Sequence, residues 1–215
     1  MHTILNLSGV YDDEGWLLTG AARLDFRTLE ECCCYCSHEA LDALRRAIGR
    51  QDVSGILWID TGDYHYITKL WLEGLSEPFL LALFDNHPDD EADSLGSGLL
   101  SCGNWVQAAR EDIPLMKADF LNTSDIPGTL PVYLSIDLEV LSPEWALTDW
   151  SQGDMTVDEL ICSVERIHGT HRILGVDICG GITVAKGARP ADLAVNVRTR
   201  KLLAAYFDSH PLVSG

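Results

Sequence analysis

Phe79-Leu80-Leu81-Ala82-Leu83-Phe84-Asp85-Asn86-His87-Pro88-Asp89 is an apolar run that stops abruptly in carboxylates and an imidazole. The six residues before Asp85 are apolar at every position rather than at alternate ones. That is the pattern of a strand covered on both faces, as in a parallel sheet flanked by helices. Similar runs lie at residues 4–10, at 56–59 before Asp60, at 132–136 before Asp137 and at 173–176 before Asp177.

Helical signals separate these runs. Ser37 caps a predicted helix over 39–48 that Gly49 stops, and a second helix is predicted over 66–75. Thr156-Val157-Asp158-Glu159 is a capping-box pattern, with Leu160, Ile161, Val164 and Ile167 on one face of the helix that follows. Pro190 opens the last helix, with Leu193, Val197, Leu202 and Tyr206 expected in the core. Strand and helix in alternation predict an α/β fold, a three-layer αβα sandwich around a mainly parallel sheet. No linker or repeat interrupts the 215 residues, so a single domain over 1–215 is expected.

The polar ends of the strands carry the chemistry. Asp85, His87 and Asp89 alternate, and so do Asp137 and Glu139. A period of two puts such side chains on one face of an extended chain, so two strand ends can aim five donors at one point. That much carboxylate is tolerated around a cation. In open parallel sheets ligands bind beyond the carboxyl ends of the strands, where Asp60, Asp85, Asp137 and Asp177 are all expected. For Asp60 and Asp177 a role as turn former or helix cap weighs as much as a site role.

Composition excludes several classes. The charge of −18, from 33 acidic and 15 basic residues, speaks against nucleic-acid binding. No stretch approaches the ~20 apolar residues of a membrane span, and the N-terminus lacks a basic leader, so a cytoplasmic protein is expected. Seven cysteines, an odd number, are expected to be reduced thiols. Cys32-Cys33-Cys34-Tyr35-Cys36 lacks the two-residue spacers of zinc knuckles and reads as buried or loop-lining small residues. Cys102, in Ser101-Cys102-Gly103-Asn104-Trp105, is a possible nucleophile at a helix start, although a plain turn with Trp105 packed beneath a helix is the favoured reading. Gly175, Gly180, Gly181 and Gly187 make no dinucleotide fingerprint.

Three segments in register resemble the arginase/agmatinase (ureohydrolase) superfamily, of which the chain looks like a short divergent member. Gly62-Asp63-Tyr64-His65 is similar to its Gly-Asp-His segment with one residue inserted. Phe84 to Asp89 is similar to its Asp-x-His-x-Asp motif, and Ser135-Ile136-Asp137-Leu138-Glu139-Val140-Leu141-Ser142-Pro143 to its Ser-x-Asp-x-Asp-x-x-Asp-Pro motif. The resemblance implies two Mn²⁺ ions, or another divalent ion such as Zn²⁺, bridged by a hydroxide that attacks a trigonal carbon and cleaves a non-peptide C–N bond of amidine, guanidine or amide type. It implies that His65, Asp85, Asp89 and Asp137 hold the first ion. His87 and Glu139 complete the second, with Asp85 and Asp137 bridging, and Asp89 and His87 are the catalytic pair. The donor chemistry agrees with this, since carboxylate with imidazole suits such ions.

The chain departs from the family pattern in three places. Glu139 replaces an Asp, no histidine lies between His87 and His168 to serve as proton shuttle, and Gly180 stands where a guanidinium-binding Glu is expected. A deacetylase-like hydrolase with one ion on Asp85, His87 and Asp137, or a non-catalytic member that binds metal or a small ligand, are the alternatives. A small-molecule substrate is expected, without nucleic acid or membrane, and a homo-oligomer is compatible with the sequence.

Overall fold

In the computed structural model, which describes residues 1–16, 18–92, 98–210 and 212, the central element is a sheet of seven strands. These are β1 (His2–Asn6), β2 (Ala22–Asp25), β4 (Ile56–Trp58), β5 (Phe79–Phe84), β7 (Met116–Leu121), β8 (Val132–Asp137) and β9 (Ile173–Cys179), in the order β2-β1-β4-β9-β8-β5-β7. Every pairing in it is parallel. A separate antiparallel ribbon joins β3 (Tyr35–Cys36) to β6 (Leu100–Ser101).

The unbroken apolar runs have the expected cause. In β5, Phe79, Leu81 and Leu83 face one core while Leu80, Ala82 and Phe84 face the other. The first core is shared with α2 (His38–Ile48), α3 (Ile67–Leu72) and α4 (Trp105–Asp112) through residues such as Leu44, Trp71 and Val106. The second is shared with the short α1 (Val10–Asp13), α5 (Val157–Thr170) and α6 (Pro190–Ser209). The three-layer αβα sandwich is therefore as predicted. Ser37 caps α2 by accepting from Ala40 N, and Thr156 with Glu159 forms a complete capping box on α5.

Three expectations need correction. The first strand ends at Asn6 rather than residue 10, because the buried Asp60 carboxylate accepts from the amides of Leu7 (2.7 Å) and Ser8 (2.9 Å) and turns the chain away. Asp177 lies inside β9, not at its end, since that strand runs on to Cys179. Leu202 is 41% exposed, whereas Leu203 and Phe207 are buried. The inward face of α6 begins with the buried polar residues Asn196, Thr199 and Arg200, which a reading of apolar periodicity passes over. The edge strands β2 and β7 escaped the sequence reading because they are only partly buried and lack an apolar run.

Strands β4, β9, β8 and β5 are neighbours, although chain order separates β4 and β5 from β8 and β9. The two later strands fill the gap where the winding reverses. Loops diverge there beyond the carboxyl ends and leave a crevice.

Candidate metal centre

Three segments deliver the site. After β4 the chain makes a 3₁₀ turn over Gly62–Tyr64 that leads into His65. Beyond β5, Asp85 is fixed by Asn122, which accepts from the Asp85 amide at 3.0 Å and donates to its carbonyl at 2.6 Å. Asp89 follows with φ +48°. At the end of β8, the Asp137 carboxylate accepts from the Glu139 amide at 2.9 Å and starts a 3₁₀ turn, so both carboxylates stay on the crevice side.

All six residues expected at the site converge. His65 Nδ1 lies 2.9 Å from Asp89, 3.2 Å from Asp85 and 3.6 Å from Asp137. His87 Nδ1 contacts Glu139 Oε1, and the Asp85 carboxylate accepts from the His87 amide at 2.9 Å. Two donor groups result, His65 with Asp85 and Asp89, and Asp85 with His87 and Glu139, and they share Asp85. His65, Asp85, Asp89, Asp137 and Glu139 are buried, whereas the His87 side chain is 44% exposed. All of these except Asp85 line a cavity of about 380 Å³, together with Cys34, Tyr35, Glu91, Ser101, Cys102, Gly103 and Trp150.

Electrostatics fit a cation between these groups. Asp85 Oδ2 is buried and accepts no well-aligned hydrogen bond, with His65 Nδ1 3.2 Å away. Burial and the neighbouring Asp85 charge raise Asp137 to about 7. Burial, then Asp137 and Asp85, raise Glu139 to about 11. Burial alone would lower the pKa of His65, but Asp85 and Asp89 overcome it and hold the imidazole well above its ordinary value. The arrangement is a cluster of carboxylates that must bind protons when no cation is present.

Hydrogen bonds orient the first imidazole. The Ser135 hydroxyl donates to Asp177 at 2.8 Å, so its oxygen accepts from His65 Nε2 at 3.0 Å. With the proton on Nε2, a neutral His65 turns its Nδ1 lone pair toward the three carboxylates, as a metal ligand must. Trp105 packs at a tilt against His65, with ring centroids 5.0 Å apart, and donates to Asp89 Oδ2 at 2.6 Å. Asp177 is thus the positioning partner that sequence left open, while Asp60 is a turn former. Ser135 and Asp177 are directly paired across β8 and β9, a contact that only the strand order reveals.

The cysteines divide as expected. All seven are free, and Cys32 and Cys36 are buried in the core. Cys33 and Cys34 come within reach of Asp63, but that carboxylate already accepts from Lys186 at 2.5 Å and Trp150 at 3.2 Å. Cys102 lies in the turn before α4, and burial beside Asp89 and Asp63 pushes its thiol up to about 12. A thiol held neutral in this way is a poor nucleophile, which leaves the plain-turn reading.

Gly180 has φ +101°, and a Cβ there would stand 2.6 Å from Asp137 Oδ1. The glutamate that the family pattern would place here has no room. Gly180→Glu is expected to destabilise the protein by about 2 kcal/mol or more, through strain and displacement of Asp137, without creating guanidine binding. Urea unfolding and a guanidine binding assay check both halves.

No family model matches the chain. An uncharacterised protein of Thermotoga maritima is 26% identical over 196 residues, 82% of this chain and 78% of the relative. Among solved structures, a hypothetical agmatinase from Burkholderia thailandensis superposes with a TM-score of 0.64 at 16% identity, over 97% of this chain and 85% of that one. This is the arginase/ureohydrolase fold. Proclavaminate amidino hydrolase from Streptomyces clavuligerus shares it, with a TM-score of 0.63 at 14% identity over 95% and 91% of the two chains. So does a triple mutant of a T. brucei arginase-like protein bound with Mn²⁺, with a TM-score of 0.62 at 13% identity over 100% and 92%. The arginase-type fold accounts for the strand order and for the crevice at the ends of β4, β5 and β8. Among the described residues no helix is long and apolar enough to cross a membrane.

Proposed function

We propose that this protein is a metal-dependent hydrolase that cleaves a non-peptide C–N bond in a small molecule, of amide or amidine type, with two Mn²⁺ ions as cofactor. The observation that carries the reading is the pair of donor groups that share Asp85 and whose other members line one cavity. His65, Asp85, Asp89 and Asp137 would hold one ion. His87 and Glu139 would complete the other, with Asp85 and Asp137 common to both. Bound there, such ions supply Lewis acidity and bring the pKa of a water toward neutrality. Asp89, held at Oδ2 by the Trp105 indole N–H, orients the attacking water and takes its proton. The Ser101–Gly103 turn walls off one side of the cavity and limits the access of bulk water. Guanidines are the poorest candidates, because the Gly180 position offers no carboxylate to grip them.

Metal analysis of the full chain combined with turnover assays on amides, amidines and ureas tests the proposal. About two Mn²⁺ per chain and turnover on at least one class support it. About one ion favours the deacetylase-like reading, and full occupancy without turnover favours the non-catalytic one. Mn²⁺ at a hundredfold excess over its Kd is also expected to stabilise the fold by about 2.7 kcal/mol, read as a rise in Tm that a chelator reverses.

A further inference from the structure

The segment 148–153 belongs to no helix or strand and to none of the expected site residues, yet it touches both ligands proposed for the second ion. The Ser151 hydroxyl lies 2.9 Å from His87 Nε2, and Asn86 Nδ2 donates to it at 3.0 Å. Gly153 N donates to the Glu139 carbonyl at 2.7 Å, so closely that a Cβ on Gly153 would collide with Val140 O. His87 needs such support more than its partners do, because it is the exposed member of the six.

The segment is itself tied down at several points. Gln152 accepts from Thr148 N at 2.8 Å and donates to the Leu141 carbonyl at 2.8 Å. The Trp150 ring rests on Gly62, and its Nε1 donates to Asp63 at 3.2 Å. Lys186, in the turn after β9, contacts the Asp149 carboxylate and also donates to Asp63 at 2.5 Å. One ammonium therefore joins the loop that leads to His65 and the loop that reaches His87.

Resting on the proposed two-ion reading, we infer that Ser151 is a positioning residue for His87 and that Lys186 is the clasp that keeps it in place. The Ser151 oxygen has two lone pairs, so it can accept from Asn86 and from His87 Nε2–H together. Holding the proton on Nε2 leaves the Nδ1 lone pair facing Glu139, where the second ion would bind. The device mirrors the Ser135 contact of His65, with a loop doing what a neighbouring strand does there. Neither Ser151 nor Lys186 is among the proposed ligands. Their effect falls on one ion position and leaves the other alone.

The test uses the full chain in two arms. In the metal-free protein at alkaline pH, ¹⁵N NMR of the His87 ring is expected to show the Nε2–H tautomer. Ser151→Ala should give a mixture and Ser151→Thr should restore the wild-type signature. In calorimetric Mn²⁺ titrations, Ser151→Ala and Lys186→Met should weaken the looser binding step by about 10- to 100-fold and leave the tighter one unchanged. An unchanged His87 tautomer in Ser151→Ala overturns the inference, as does equal weakening of both steps. A wild-type chain that binds no Mn²⁺ would sink the proposed function, and the tautomer measurement would still decide the role of Ser151.

Discussion

Asp85→Asn is expected to abolish tight Mn²⁺ binding at both positions while the fold stays intact. Asp85 belongs to both donor groups, so its loss removes a ligand from each. Affinity should fall by more than about 100-fold, the upper end of what losing a mere outer-shell partner costs. The backbone has little reason to move. Asparagine keeps an oxygen that can accept from the His87 amide, and Asn122 still grips the Asp85 main chain. The metal-free variant should melt no lower than the metal-free wild type, because the Asp85 charge is among the causes that raise Asp137 and Glu139. Metal analysis with a circular-dichroism melt reads both results. Retained binding of two ions would contradict the shared-ligand geometry.

Arg200→Met is expected to cause the largest loss of stability, about 3–5 kcal/mol. Arg200 and Glu14 have no side-chain exposure, and the guanidinium donates to Glu14 at 2.8 Å and to the Gly180 carbonyl at 2.5 Å. It also lies over Tyr11, 4.8 Å from the ring centroid. Removing it leaves Glu14 buried without a counter-charge, where burial already raises its pKa against the pull of Arg200. The defect should shrink in acid, as Glu14 takes up a proton, and should be largely repaired by adding Glu14→Leu. Denaturant unfolding of the single and double variants checks this. The Gly180 loop would lose its anchor as well, so the variant also tests whether that loop steadies Asp137.

The pH dependence of the metal-free chain follows from the same carboxylates. Asp137 is raised from 3.8 to about 7, and Glu139 is raised as well. A carboxyl whose folded pKa is raised contributes stability that is complete below the unfolded pKa and is lost as pH rises through the folded one. Metal-free protein should therefore weaken as pH climbs from 3.8 to about 7. Excess Mn²⁺ should offset that loss, because binding favours the deprotonated carboxylates. Thermal melts across this range, with and without Mn²⁺, check the sign.

What could be read from sequence was what repeats locally. The run from Phe79 to Phe84 and the alternation of Asp85, His87 and Asp89 are both period-two signals, so strand, face and site could be read together. The partners of the histidines were not legible, because Ser135 meets His65 across 70 residues and Ser151 meets His87 across 64. Nothing local marks either serine. Asp177 was ambiguous for a related reason, since its role depends on β9 lying beside β8, and strand order is not written in a single strand. In α6 the polar residues Asn196, Thr199 and Arg200 concealed the inward face. Gly180 could be read as a missing glutamate, but only the approach of Asp137 Oδ1 explains why no side chain stands there.

Crystals soaked in Mn²⁺ and measured at an anomalous wavelength test the central claim most directly. The account predicts two peaks about 3.5–4 Å apart, one beside His65 and Asp89, the other beside His87 and Glu139, with Asp85 touching both. Absence of any peak among these six side chains at full Mn²⁺ loading would contradict it.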